Sequence, residues 1–153
     1  MRRFCTHMEP FAENRKARHA YETLETFEAG LMLSGQEVKS VRDSGANLTG
    51  SYLSFRGGEL YLVGTHIAPY RKAGSLPGYN PDRPRKALLR KKELRSLLGK
   101  TEQKGLTLVP FSLYARGRHI KLRFGLCRGK KTHEKKEALK QRDIDRDIRR
   151  HLE

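Results

Sequence analysis

From Tyr21 to Leu33 the odd positions, Tyr21, Thr23, Glu25, Phe27, Ala29, Leu31 and Leu33, form a mostly apolar face with a period of two. Alternation of that kind lays one face on a core and the other in water, and it predicts a long strand. Gly30 inside the strand points to a bulge or a close backbone approach. Ser34 followed by Glu37 has capping-box spacing, with Val38 and Val41 one turn apart, so a short helix follows and closes near Gly45. SYLSF, the pair Gly57-Gly58 and ELYLVGTHI together predict a hairpin, because two glycines supply the positive φ of a tight turn.

Residues 68–84 hold four of the six prolines together with Gly74 and Gly78. They predict a long loop, a feature that is commonly functional or mobile. Lys86–Arg90 reads as a short strand. Leu94, Leu97, Leu98 and Thr101 keep helical spacing, and Gly105 suits the position just past a helix end. In LTLVPFSLYA, Val109, Phe111, Leu113 and Ala115 are expected on one face, with Pro110 at an edge or a bulge. After a turn at Gly117 the last strand alternates cleanly. Ile120, Leu122, Phe124 and Leu126 face one way, and His119, Lys121 and Arg123 face the other. The expected fold is mainly β, a small antiparallel OB-like barrel of about six strands with two or three short helices and a basic C-terminal tail.

Charge sharpens this picture. The chain has 153 residues, 33 Lys+Arg against 17 Asp+Glu, a net charge of +16, and only 36% hydrophobic residues. That supports one small core. Residues 1–127 carry 23 basic and 11 acidic side chains, a balance of +12, and residues 128–153 carry 10 and 6, a balance of +4. The excess therefore sits mostly in the folded part. The expected organisation is a flexible basic segment over 1–18, the barrel over 19–129, and a tail over 130–153, disordered when free and helical on its partner. No stretch approaches the ~20 apolar residues of a membrane span, and the N-terminus lacks the apolar run of a secretory signal. Cys5 and Cys127 are the only cysteines, which fits a reducing compartment and a cytoplasmic protein. Such a charge balance points first to nucleic acid.

Catalytic chemistry is poorly represented. His133-Glu134 with Glu137 gives HExxE and lacks the second histidine of a zinc helix. There is no CxxC and no phosphate-binding glycine pattern, so neither a metal nor a cofactor is expected. The row His119, Lys121, Arg123 is different: three aligned cationic or potentially cationic groups repel one another, and a phosphate backbone would relieve that repulsion.

An ordered series of motifs runs along the chain. Asn14-Arg15-Lys16-Ala17-Arg18-His19 precedes Phe27-Glu28-Ala29-Gly30 and Gly35-Gln36-Glu37-Val38-Lys39-Ser40. Ala46-Asn47-Leu48, Ser51-Tyr52, His66-Ile67-Ala68-Pro69-Tyr70, Arg85-Lys86-Ala87-Leu88-Leu89 and Gly99-Lys100 follow, then Lys104-Gly105-Leu106-Thr107-Leu108-Val109-Pro110 and Gly129-Lys130-Lys131. Over about residues 14–136 this series closely resembles the small protein B, or SsrA-binding protein, family of bacterial trans-translation.

The resemblance implies a non-enzymatic RNA-binding adaptor. Its partners would be the tRNA-like domain of tmRNA, the ribosome including small-subunit rRNA, and elongation factor Tu with GTP through the tmRNA complex. A monomer is expected. By motif position, Glu28, Leu88 and Lys121 match the family's tmRNA-binding residues. Lys121 would contact phosphate. Leu88 would support the surface or pack on a ribose or base. Glu28 would orient an arginine or accept from a ribose hydroxyl, unless it serves only a structural salt bridge. Asn14, Arg15, Lys16, Arg18 and His19 match the basic N-terminal motif, and His119 and Arg123 extend the cationic row. In the tail, Lys130, Lys131, His133, Lys135 and Lys136 match residues of the decoding centre and mRNA channel. Glu134 and Lys136 replace the family's frequent Asp and Arg, Ala87 replaces a larger aliphatic residue, and the tail diverges beyond Gln141. The readings that compete are a generic OB-type RNA- or ribosome-binding module and, in another class, a basic nuclease or RNA-modifying enzyme.

Overall fold

The computed structural model describes residues 9–74, 76–103, 105–129 and 146–150. The elements are β1 (Ala12–Glu13), α1 (Arg15–Ala20), β2 (Tyr21–Leu31), α2 (Gly35–Ser44), β3 (Tyr52–Arg56), β4 (Glu59–Val63), a 3-10 turn (Arg71–Ala73), β5 (Arg85–Leu88), α3 (Lys91–Thr101), β6 (Leu106–Arg116) and β7 (His119–Gly129). All strand pairs are antiparallel. Six strands in the order β6-β3-β4-β5-β2-β7 form a ring that closes through β6–β7, and the two-residue β1 adds to β6. The fold is mainly β, with seven strands where about six were expected.

The ring encloses the core. Ile120, Leu122, Phe124 and Leu126 of β7 meet Leu108 and Leu113 of β6, Leu53, Leu60 and Leu62 of the β3–β4 hairpin, and Ala29 and Ala87. Phe27 stacks on Phe124 at 5.6 Å between ring centroids. Val41 of α2 and Leu97 of α3 are fully buried in the same cluster. The Ser34–Glu37 capping box is present in both directions, and Gly45 ends α2 at φ 77°. Gly45 is also obliged by space, since a Cβ there would lie 2.5 Å from the Phe11 carbonyl oxygen. Gly57 and Gly58 turn the hairpin at φ 59° and 80°.

Several expectations need correction. The segment expected to be flexible through residue 18 is docked from Phe11 onward. Phe11 N–H bonds Leu113 O at 2.8 Å, Ala12 and Glu13 pair with β6, and Asn14 caps α1. Gly30 sits in regular register opposite Lys121 and Leu88, and the β2 bulge falls at Leu24 instead. Leu24 is the extra residue between Thr23 and Glu25, and the bulge leaves it exposed. A second bulge follows Pro110, as a proline without a donor favours. It takes up Phe111, so Val109 and Phe111 do not join Leu113 in the main core. They pack with Ala17 and Cys127 under α1. Helix α3 ends at Thr101 with Glu102 as its C-cap, so Gly105, at φ 81°, belongs to the turn before β6.

The loop over 68–84 is tied to the core by charge. Arg85 is wholly buried, with Nε to Glu37 Oε2 at 2.8 Å, Nη1 to Thr65 O at 2.6 Å and Nη2 to Pro81 O at 2.8 Å. Arg83 binds the other Glu37 oxygen. Residues 146–150 are helical and exposed. Lys130, Lys131, His133, Lys135, Lys136 and Cys5 lie outside the described residues. No helix among the described residues is long and apolar enough to cross a membrane.

Candidate nucleic-acid interface

The strand order β2-β7-β6 decides which polar side chains share the outer face. Lys121 lies between Gly30 of β2 and Tyr114 of β6, Arg123 between Glu28 and Ser112, and His119 opposite Arg116. Ile120, Leu122 and Phe124 are buried while His119 and Arg123 are exposed, so the alternation of β7 is expressed as its sequence implies.

Glu28 reaches across β7 to β6. Its Oε1 accepts from Arg116 Nη1 at 2.5 Å, and its Oε2 accepts from the Tyr114 hydroxyl. Partial burial pushes the Glu28 carboxyl up, but the bonds from Tyr114 and Arg116 and the charges of Arg116 and Lys121 outweigh it, leaving it below its usual value. Tyr114 is pushed up to about 12, by burial first and then by its bond to ionised Glu28. The Arg123 guanidinium lies over the Tyr114 ring at 5.4 Å. Tyr114 thus supports two groups at once, the carboxylate through its hydroxyl and the guanidinium through its face.

Glu28, Leu88 and Lys121 meet in space. With Thr26, Phe27, Gly30, Leu89, Arg90 and Glu93 they line an open hollow of about 500 Å³. A second hollow of about 410 Å³ shares Gly30, Leu88 and Lys121 and continues to Arg118 and His119. Leu88, 46% exposed, is an apolar ridge between the two. Gly30 leaves room beside it, where a Cβ would stand 3.4 Å from Leu88 Cβ. An apolar ridge beside a lysine and a carboxylate in one hollow suits a ribose or base held beside its phosphate.

The N-terminal motif divides. Asn14 is 5% exposed, its side-chain amide donates to Leu48 O and Pro110 O, and its side-chain oxygen caps α1 at Ala17, so it anchors the helix. Arg15 pairs with Glu13 at 3.4 Å. Lys16 lines a separate hollow with Tyr21 and Tyr52. Arg18 shares a hollow with Arg123, and His19 is exposed. The sequence reading missed Tyr114, Arg116 and Thr26. The signal for the first two lay in β6 itself, where they alternate with Leu113 and Ala115. Among the described residues no group of three His, Cys, Asp or Glu side chains is placed to hold a metal ion.

The family model for the SmpB protein matches residues 11–153. The chain belongs to the SmpB protein family. An SmpB relative from Microcystis aeruginosa, an SsrA-binding protein, is 51% identical over 138 residues, 90% of each chain. One from Chloroflexus aggregans, also an SsrA-binding protein, is 47% identical over 146 residues, 95% of this chain and 92% of the relative. A solved SmpB chain, described as "tmRNA-SmpB: a journey to the center of the bacterial ribosome", superposes with a TM-score of 0.65 at 56% identity and covers 79% of this chain and 85% of that one.

Proposed function

We propose that this chain is an RNA-binding adaptor of ribosome rescue. It binds the tRNA-like domain of tmRNA through the outer face of β2, β5 and β7 and delivers it to stalled ribosomes for tagging of the incomplete peptide. The observation that carries this reading is the convergence of Glu28, Leu88 and Lys121, from three distant segments, on one open hollow beside an exposed cationic strand. The names of the relatives, SsrA-binding proteins, support the choice of RNA. Lys121 neutralises phosphate, Leu88 packs on a sugar or base, and Glu28, whose oxygens retain free lone pairs, accepts from a ribose 2′-hydroxyl.

The chain performs no catalysis of its own. It acts in the cytoplasm as a monomer, and it meets elongation factor Tu with GTP through the tmRNA complex. Its tail from Lys130 enters the mRNA channel of the small subunit, with Lys130, Lys131, Lys135 and Lys136 against rRNA phosphate and His133 stacked on a base of the decoding centre. The test is retention of tmRNA by the protein at moderate salt, with the RNA examined for cleavage. Retention of intact tmRNA, with an unrelated tRNA competing poorly, is the expected result. Equal retention of any structured RNA would leave a generic RNA-binding module, and cleavage would make the protein a nuclease.

A further inference from the structure

The cations of the outer face are not equivalent. Arg116 is matched by Glu28. Arg18 and Arg123 make no salt bridge among the described residues. Both are exposed, and both line a hollow of about 350 Å³ together with Thr23, Thr26 and Phe111. Thr26 also lines the hollow that holds Glu28, Leu88 and Lys121, so the two adjoin at that residue. From Gly30 back to Thr23 strand β2 runs roughly 23 Å at ~3.3 Å per residue, long enough for several nucleotides.

The geometry points to a second RNA subsite at the far end of this track, a phosphodiester clamp formed by Arg18 of α1 and Arg123 of β7. It rests on the RNA-binding reading above and assigns a further segment of the same RNA to this hollow. Both jaws are held before the ligand arrives. Arg123 lies over the Tyr114 ring at 5.4 Å. Arg18 stands on a helix fixed by the Asn14 cap and by Ala17, which is buried against Val109, Phe111 and Cys127. Exposed Thr23 and Thr26 line the same hollow and bring hydroxyl donors. Two guanidiniums beside hydroxyl donors match the planar, multidentate recognition of phosphate oxygens. Because Glu28 already pairs with Arg116, that arginine is not a third jaw of the clamp.

The experiment is a double-mutant cycle on the full chain with Arg18→Ala and Arg123→Ala, measured as tmRNA affinity across a salt series. Each single variant is expected to lose about tenfold in affinity, the scale of a charge-assisted hydrogen bond. The double variant should lose clearly less than the product of the singles, because both jaws hold one phosphate. Arg56→Ala, at the exposed end of β3 and lining neither hollow, serves as the charge control and should change affinity less than twofold. Asn14→Ala should reproduce Arg18→Ala and add little to it, since it frees the helix that carries Arg18. Equal losses for Arg56→Ala and Arg18→Ala, or strict additivity of the Arg18 and Arg123 variants, would overturn the clamp. Lys121→Ala separates the two levels: if it weakens binding while the arginine variants do not, the clamp fails and the RNA-binding reading stands. If none of the three weakens binding, this face is not an RNA surface.

Discussion

At the scale of single residues, the outer face depends on one tyrosine. Tyr114 donates to Glu28 and lies beneath Arg123, so its two roles are chemically separable. Tyr114→Phe keeps the ring and removes the hydroxyl. We expect it to keep Arg123 in place and to release Glu28 to a single arginine partner, weakening tmRNA binding a few-fold, whereas Tyr114→Leu should weaken it further. The linkage has a definite sign. A tyrosine raised to about 12 contributes stability that is complete below its ordinary value of 10 and is lost as pH rises through 12. Glu28, lowered from 4.5, contributes stability present above that value and lost as pH falls through its folded one. In Glu28→Gln the Tyr114 titration should fall back toward 10, with part of the rise surviving from burial. Ultraviolet difference titration of wild type against variant measures this. An unchanged tyrosine titration would mean that Glu28 does not hold the hydroxyl in solution.

Among the elements, α2 has the most consequential interior. It opens with the Ser34–Glu37 capping box, and the same Glu37 carboxylate holds Arg83 and Arg85, binding the long loop and the start of β5 to the helix. Leu88 lies three residues beyond Arg85, so this buried cluster fixes where the apolar ridge of the interface stands. Burial raises the Glu37 carboxyl, but the Ser34 N–H and the two arginines prevail and lower it. Its stabilising effect is therefore present above 4.5 and disappears as pH falls through the folded value. Glu37→Gln leaves two guanidiniums facing a neutral amide. We expect a loss of about 3–5 kcal/mol near neutral pH, the usual cost of breaking a buried pair from one side. The acid limb of the urea midpoint against pH should be shallower than in the wild type. An equally steep limb would assign acid unfolding to another carboxylate.

For the molecule as a whole, a net charge of +16 is spread over ring and tail, and salt distinguishes their contributions. If about six phosphates are contacted, tmRNA affinity should fall steeply with ionic strength. Lys121→Ala should lower the logarithmic salt slope by about one unit, and an unchanged slope would remove Lys121 from the interface. Tail and ring should also separate in function. Deletion from Lys130 onward is expected to leave tmRNA binding nearly intact and to abolish peptide tagging on stalled ribosomes, with His133→Ala impairing the second step more than the first. Full tagging by the truncated protein would exclude a role for the tail in decoding.

Periodicity, capping residues and paired glycines made β2, α2, the β3–β4 hairpin, α3 and β7 legible in the sequence, because each is specified by neighbours a few residues apart. The outer row of β7 was legible for the same reason, and the ordered motifs pointed to Glu28, Leu88 and Lys121 one by one. What alternation cannot express is an extra residue: the bulges at Leu24 and Phe111 displace a strand by one position, and Phe111 then packs with Ala17 of α1. Nor could a polar, aperiodic stretch show that Asn14 would be buried, since its partners Leu48 and Pro110 lie 34 and 96 residues away. The bond from Tyr114 to Glu28 and the hollow that Arg18 and Arg123 share are likewise products of ring closure. They exist because β7 lies between β2 and β6, a neighbour relation that only the assembled sheet creates.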